Sequence, residues 1–154
     1  MICSTGSTTP SAEPVPSEHG PYWSGLHSQG AATLPTRVVI AEDEAIIRLD
    51  LKETLEEEGY EVVGETGRGD EAVVLVRELK PEIAILDIKM PGIDGLTAAR
   101  QITADQLCAV VVLTAFSQRD LIEEARDAGA LAYLVKPFQR SDLVPAIELA
   151  VGRF

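Results

Sequence analysis

The stretch Arg37-Val-Val-Ile-Ala-Glu-Asp-Glu44 decides how this chain folds, because a short β-branched run passes at once into three acids. Residues 37–41 are typical of a buried strand. The pattern recurs downstream, and further strands are predicted over 60–63, 83–86, 109–113 and 131–135. Apolar residues at helical spacing follow each strand, so the chain alternates strand and helix five times.

Five strand–helix units in 118 residues predict an α/β fold with a parallel sheet and helices on both faces. Right-handed crossovers favour the flavodoxin-like (βα)5 fold, a doubly wound five-stranded parallel sheet with strand order 2-1-3-4-5. We expect Pro145 in the first turn of the last helix, where proline is tolerated. In such sheets the functional site lies beyond the carboxyl ends of the strands.

Chemically active side chains follow four of the predicted strands. Glu42 and Asp43 come after the first strand, Asp87 after the third, Thr114 after the fourth and Lys136 after the fifth. Three converging carboxylates need a cation, and oxygen ligands suit Mg²⁺. A lysine and a hydroxyl on the same rim supply charge and hydrogen bonds to a phosphoryl group. The pocket therefore predicts phosphoryl chemistry, with Asp87 as the nucleophile that forms an acyl phosphate.

Each of these residues alone also has an ordinary structural explanation. An acidic pair after a strand often caps and charges the first turn of a helix. An aspartate in a loop, a capping threonine and a solvated lysine are equally common. Their agreement at four strand ends favours the functional interpretation.

The composition is that of a soluble globular protein with one domain, at 45% hydrophobic and 25% charged residues over 154 positions. No run of about 18 uncharged apolar residues is present, which excludes a membrane span. The two cysteines, Cys3 and Cys108, exclude a disulfide scaffold and favour the cytoplasm. The segment 36–154 holds 13 basic and 23 acidic residues, so we expect no direct binding of nucleic acid.

Residues 1–35 differ from the rest of the chain. Ser, Thr, Pro and Gly fill 19 of these 35 positions without apolar periodicity, so we predict a disordered tail followed by a domain over 36–154. The tail has neither the basic start nor the apolar core of a secretory signal. A binding motif around Tyr22-Trp23 is one interpretation of its aromatic residues, and incidental placement is the other.

Four segments together carry a family resemblance: Val-Val-Ile-Ala-Glu-Asp-Glu (38–44), Leu-Asp-Ile-Lys-Met-Pro-Gly-Ile-Asp-Gly (86–95), Leu-Thr-Ala (113–115) and Tyr-Leu-Val-Lys-Pro-Phe (133–138). In this order they resemble the receiver domain of bacterial two-component response regulators. The amino-acid sequence of residues 113–121 and 145–151 is similar to that of antiterminator regulators of the ANTAR class. The resemblance covers about three-quarters of the chain.

The resemblance implies a phosphoacceptor and a magnesium site. Asp87 would accept the phosphoryl group and would also bind the metal. Asp43 would bind Mg²⁺ directly, and Glu42 directly or through water. The backbone carbonyl of Lys89 would complete the metal site.

The resemblance also implies a set of residues that respond to the phosphoryl group. Lys136 would pair with Asp87 or a phosphoryl oxygen, and Thr114 would donate a hydrogen bond to that group. The small Ala115 would leave the group accessible. Tyr133 would be an aromatic that changes rotamer, with a half-buried strand residue as the alternative. Lys136-Pro137 would form a cis peptide bond, in line with X-Pro in a tight loop.

The function implied is a signalling switch and not an enzyme, apart from self-catalysed phosphotransfer and dephosphorylation. A sensor histidine kinase would phosphorylate Asp87, and the face formed by helix 4, strand 5 and helix 5 would change its packing. A second copy or a downstream effector would bind that face, with transcription antitermination as an output. ANTAR regulators carry a helical RNA-binding segment after the receiver, whereas this sequence ends at Phe154. We therefore expect either a fragment or a stand-alone receiver.

Three other functions would share parts of this pattern. A Mg²⁺-dependent phosphohydrolase of the haloacid-dehalogenase kind needs an acid two residues after its aspartyl nucleophile, where this chain has Lys89. A nucleotide-binding flavodoxin or Rossmann relative conflicts with the acids of 42–44, which repel phosphates unless a metal intervenes. A phosphorylation-independent pseudo-receiver would lack one of the five site residues, and none is missing.

Overall fold

Five parallel strands form one sheet in the order β2-β1-β3-β4-β5, which confirms the predicted flavodoxin-like winding. The computed structural model describes residues 34–115 and 120–154. The elements in chain order are β1 (Arg37–Ala41), α1 (Ala45–Glu57), β2 (Glu61–Thr66), α2 (Gly69–Leu79), β3 (Ile83–Asp87), α3 (Gly95–Ala104), β4 (Ala109–Ala115), α4 (Leu121–Asp127), β5 (Ala132–Lys136) and α5 (Arg140–Arg153). The Tyr22-Trp23 hypothesis and almost all of the predicted tail lie outside the described residues.

The core lies on both faces of the sheet. Alternate strand residues such as Val39, Leu86 and Val112 pack with α2, α3 and α4 on one face. Their neighbours, among them Ile40 and Ile85, pack with α1 and α5 on the other. Because both faces are covered, the central strands are apolar at nearly every position instead of alternating. No helix within the described ranges is both long and apolar enough to cross a membrane.

Four strands run further than the apolar pattern predicts, and among them β2 reaches Thr66 instead of ending at residue 63. Asp87 is the last residue of β3, and β4 extends to Ala115 instead of ending at residue 113. Backbone pairing continues past the last apolar side chain, since Thr114 pairs with Val135 and Ala115 with Lys136. The prediction that the site residues follow their strands is therefore wrong for β3, β4 and β5, where they occupy the final pairs.

The expected position of Pro145 is also wrong. Helix α5 begins at Arg140, and Pro145 is its sixth residue, beyond the first turn. The start is set by a capping box in which the side chains of Gln139 and Asp142 each accept from the other's backbone N–H. Sequence periodicity detects the apolar residues from Leu143 onward, so it places the helix start too late.

The loop after β3 packs tightly against the start of α3. The Gly95 N–H donates to the Ile88 carbonyl at 2.7 Å. A side chain at Gly95 would place its Cβ 2.0 Å from the Asp87 carbonyl oxygen, which no other residue could satisfy without moving the backbone. Asp94 then caps the helix by accepting from the Thr97 N–H at 2.7 Å. This packing fixes the backbone on which Asp87 stands.

Candidate functional site

Three carboxylates meet at the carboxyl ends of β1 and β3. One oxygen from each of Glu42, Asp43 and Asp87 lies within 4.8 Å of the others. Strands β1 and β3 are direct neighbours, with Ala41 paired to Leu86, so the residues that follow this pair are brought together. The structure thus places the acids in one cluster, as the strand order predicts.

Asp87 is buried, and its Oδ1 contacts both a backbone N–H and a lysine. The side chain is 9% exposed. Its Oδ1 accepts from the Ile88 N–H at 3.0 Å and lies 3.2 Å from the Lys136 Nζ. Burial and the nearby Glu42 charge raise the pKa of Asp87 to about 6, although Lys136 opposes the shift. The ionised form that a nucleophile needs is therefore costly in this pocket without a further cation.

Lys136 bridges two buried carboxylates. Its Nζ lies 2.8 Å from Glu42 Oε1, closer than it lies to Asp87. Burial lowers the pKa of Lys136, but its contacts with Glu42 and Asp87 outweigh burial, and the pKa is raised overall. The family resemblance implies a pairing of Lys136 with Asp87 or a phosphoryl oxygen, and nothing in the sequence pattern indicates Glu42 as its partner.

Glu42 has little freedom to act as a direct metal ligand. The residue is fully buried. Its Oε1 receives the Lys136 contact, and its Oε2 accepts from the Glu44 N–H at 3.1 Å. With both oxygens engaged, Glu42 fits the role of a ligand that acts through water better than that of a direct one.

Asp43 is the open member of the cluster, because its side chain is exposed. A cluster of hard oxygen donors with one open carboxylate fits Mg²⁺, which keeps several waters and binds through one or two carboxylates. Lys89 lies two residues beyond Asp87 with an exposed side chain, so any contribution to the metal would come from its backbone.

Thr114 presents an unsatisfied hydroxyl beside Asp87. The residue is fully buried, and within the described residues its Oγ1 has no hydrogen-bond partner. An unpaired buried hydroxyl costs about 1–3 kcal/mol, so its retention calls for a partner supplied at another stage. Ala115, the next residue, ends β4 and is half-buried. The hydroxyl and the acidic cluster stand on neighbouring strands.

Tyr133 lies away from the pocket, on the surface of β5. It is 47% exposed and lines a groove of about 430 Å³ between α4, β5 and α5. About half of the residue is therefore covered within strand β5, and the rotamer change expected of it stays a prediction. The Lys136–Pro137 bond is cis, as expected.

Arg48 is a residue near the site that sequence analysis missed. Its Nη1 donates to the Glu42 backbone carbonyl at 2.6 Å. The sequence does hold one indication: Arg48 comes four residues after Glu44, and residues at this spacing lie on the same face of a helix. An arginine at helical spacing on an exposed helix is too common for that signal to stand alone.

Residues 38–148 match the family model for the response regulator receiver domain. The chain is 62% identical over 130 residues to the transcriptional regulatory protein PdtaR of Mycobacterium tuberculosis, a match covering 84% of this chain. The aligned part is 63% of that relative, so the chain spans less than two-thirds of its length.

Two solved structures share the fold. The receiver domain of the putative response regulator NarL from M. tuberculosis superposes with a TM-score of 0.74 at 28% identity, covering 78% of this chain and 98% of that one. The CheX–CheY–BeF3–Mg²⁺ complex from Borrelia burgdorferi gives a TM-score of 0.69 at 26% identity, covering 74% and 87%. The family match, the fold and these relatives agree that the chain belongs to the response regulator receiver family of two-component signalling proteins.

Proposed function

We propose that this chain is a phosphorylation switch in which Asp87 accepts a phosphoryl group from the phosphohistidine of a sensor kinase. The observation that carries the proposal is the joint presence of a buried Asp87, a lysine 3.2 Å from its Oδ1 and, on the next strand, a Thr114 hydroxyl without a partner in the part of the chain that the structure describes. The free, buried Cys108 agrees with a reducing compartment, so we place the protein in the cytoplasm.

The transfer needs an ionised Asp87 and a shielded phosphoryl group. An Asp87 carboxylate oxygen forms the new bond to phosphorus while the bond from phosphorus to the donor imidazole nitrogen breaks, and the electron pair stays on that nitrogen. Oδ1 is held by the Ile88 N–H and Lys136, and we assign the attack to Oδ2, which receives neither of these two contacts. Asp43, Asp87 and the Lys89 carbonyl would hold Mg²⁺, with Glu42 acting through water. When bound, the ion supplies charge neutralisation for the carboxylates and the phosphoryl oxygens.

The phosphoryl group would then rearrange the contacts of Thr114 and Lys136. The Thr114 hydroxyl gains an acceptor, and Lys136 shares its charge between the phosphoryl oxygens and Glu42. Movement of Thr114 toward the site opens space beneath β5 for the Tyr133 ring, which now lies at the surface. The groove between α4, β5 and α5 changes shape as that ring moves, and a second copy or an effector binds the altered face.

Intact mass spectrometry after incubation with Mg²⁺ and acetyl phosphate tests the proposal. We expect one phosphoryl adduct that is sensitive to hydroxylamine and is lost in EDTA. Asp87→Asn should abolish it. Asp94→Asn is the matched control, since asparagine keeps the α3 cap and should leave labelling unchanged.

Other outcomes of these measurements would favour the alternative functions. An adduct that persists in Asp87→Asn would move the phosphoacceptor elsewhere. Repeated release of phosphate from p-nitrophenyl phosphate would favour the phosphohydrolase. A wild-type chain that neither binds Mg²⁺ nor forms an adduct, from acetyl phosphate or from any kinase, would be a pseudo-receiver.

An apolar rim beside the site favours docking of the phosphohistidine donor there. Ile46 is 83% exposed and Leu49 is 54% exposed, on the first turns of α1. Ile46 lines a groove of about 470 Å³ with Pro137 and Phe138, next to Lys136. A donor must reach Asp87 past this rim, and apolar surface of this kind marks protein contacts.

Selective loss of kinase transfer tests the docking surface. Ile46→Lys should slow transfer from purified sensor kinases encoded in the same genome by about tenfold and leave acetyl phosphate labelling unchanged. Val74→Lys is the matched control, because Val74 is an exposed apolar residue on α2, outside the groove. Equal rates for both variants would place the donor elsewhere.

We also propose transcription antitermination as the output, on the similarity to the M. tuberculosis transcriptional regulator. The acidic chain itself should not retain RNA on filters. A chimera joining residues 38–148 to the remaining part of that relative should bind RNA in a manner that responds to acetyl phosphate. A chimera that binds RNA without regard to phosphorylation would contradict this output.

A further inference from the structure

The Arg48 guanidinium lies under the turn that carries the acidic pair. Its Nη1 donates to the Glu42 carbonyl at 2.6 Å, and its side chain is 23% exposed. Gly67 closes this space from the side, since a Cβ there would lie 3.0 Å from Nη1 and 3.4 Å from the Asp43 Cα. The guanidinium, the glycine and the acidic turn therefore form one packed unit.

A second arm ties Arg48 to the neighbouring strand. Its Nε lies 3.4 Å from Glu65 Oε1, on β2. The other Glu65 oxygen lies 3.0 Å from the Lys52 Nζ, one turn further along α1. Glu65 is paired with Ile40 of β1, so Arg48 joins the end of β1 to the adjacent strand through side chains as well.

The Glu42 carbonyl belongs to the peptide group that leads into Asp43. Fixing that carbonyl fixes the direction in which the Asp43 backbone leaves β1, and with it the reach of the open carboxylate toward Asp87. The Glu42 N–H is held by the Thr66 backbone carbonyl at 3.0 Å, whereas the Glu42 carbonyl is held by the Arg48 side chain.

We infer that Arg48 is a positioning residue for Mg²⁺: it holds the Glu42–Asp43 peptide so that the Asp43 carboxylate stays at ligand distance from Asp87. The inference rests on the proposed magnesium-dependent function and adds to it a residue that touches neither the metal nor the phosphoryl group. Partners one step removed from a metal typically change its affinity by about 10- to 100-fold when they are lost.

Calorimetric titration of the metal-free full chain with MgCl₂ tests the inference. We expect Arg48→Ala to raise the Kd for Mg²⁺ by about tenfold. Arg48→Lys should raise it by a smaller factor, since a single ammonium can reach one of the two partners but not both. Lys52→Ala is the matched control: it removes a cation from the same helix and the same Glu65 partner without contact to the turn, and its Kd should stay within twofold of wild type.

Thermal unfolding of each metal-free variant separates positioning from general stability. A merely structural role lowers the Tm and leaves the Kd measured well below it unchanged, and that result overturns the inference. Equal Kd values for Arg48→Ala and Lys52→Ala overturn it as well. Should Arg48→Ala fail to fold, the comparison of Arg48→Lys with Lys52→Ala decides. A wild-type chain that binds no Mg²⁺ would instead contradict the proposed function at its metal site.

Discussion

The interior of the sheet and its carboxyl-end edge are formed by the same three strands, but the interior is apolar and the edge is polar and charged. In β1, β3 and β4 the interior residues are apolar, fully buried and packed from both faces. One or two residues further, the same strands bury Glu42, Asp87 and Thr114. The interior lowers the free energy of the fold, whereas the edge raises it in the absence of metal, through crowded carboxylates and a hydroxyl that no described residue satisfies.

The contrast indicates that the edge of the sheet, and not its interior, is the part that would respond to a metal or a phosphoryl group. A site whose groups were all satisfied would gain little from a metal or a phosphoryl group. Under the proposed function, those ligands would lower the cost of ionising Asp87 and would supply a partner for the Thr114 hydroxyl, which has none within the described residues. The free energy gained by packing the interior offsets the unfavourable free energy of the edge.

The interior should show the largest effect on stability. Ile85→Ala removes a fully buried side chain from β3 and should lower the free energy of unfolding by about 3 kcal/mol. The loss should be equal at pH 5 and pH 7.5, because no charge is involved. Urea titration followed by circular dichroism measures it, and a loss that varies strongly with pH would break the distinction between the two regions.

Removal of the bridging cation should come next. Lys136→Met leaves Glu42 and Asp87 without their cation and should cost about 2 kcal/mol at pH 7.5 in EDTA. The raised pKa of Lys136 means that its contribution is present at neutral pH and is lost only as pH rises above 10.5. At pH 5 the cost should shrink, since Asp87, with a pKa of about 6, is then largely uncharged. The same urea titration checks this, and a cost that does not change between the two pH values would contradict it.

Removing the charge of Asp87, the proposed phosphoacceptor, should stabilise the metal-free protein. The pKa of Asp87 is raised from 3.8 to about 6 in the fold, so stability is lost as pH rises through that interval and the acid ionises. Asp87→Asn should therefore gain about 1 kcal/mol at pH 7.5 and nothing at pH 4. Thermal unfolding in EDTA measures the difference. Excess Mg²⁺ should reverse it, because the ion stabilises only the chain that binds it.

The smallest effect is expected outside both regions. Tyr60 donates from its hydroxyl to Glu148 Oε2 at 2.9 Å and so ties the start of β2 to α5. Tyr60→Phe should cost about 0.5–1 kcal/mol in the same urea assay and should leave Mg²⁺ affinity unchanged. A changed affinity would mean that this tie reaches the edge of the sheet.

Much of the fold was predictable because apolar periodicity records burial. The five strands and their order follow from short β-branched runs separated by helical spacing, with both faces covered. Strand ends were less predictable, since backbone pairing carries β4 through the polar Thr114 to Ala115. The side chains show where the apolar core ends, but the backbone hydrogen bonds between strands continue beyond that point.

The members of the candidate site were predictable as a set, but their pairings were not. Strand order alone brings Asp87 to Glu42 and Asp43. That Lys136 lies nearer to Glu42 than to Asp87, and that Arg48 holds the Glu42 carbonyl, depends on rotamers and on a loop closed by Gly67. Sequence spacing carries no information about such choices between two partners in reach.

The bridge between Glu42 and Lys136 spans 94 positions of the chain, and this separation has a consequence for synthesis. All three carboxylates leave the ribosome before the lysine that neutralises two of them. An incomplete chain ending before β5 holds the acids without their protein cation, so closure of that edge is disfavoured until the last strand arrives. The Glu42–Lys136 bridge therefore forms only after β5 has been synthesised, and under the proposed function a chain that ends before β5 would compete poorly for the phosphoryl donor.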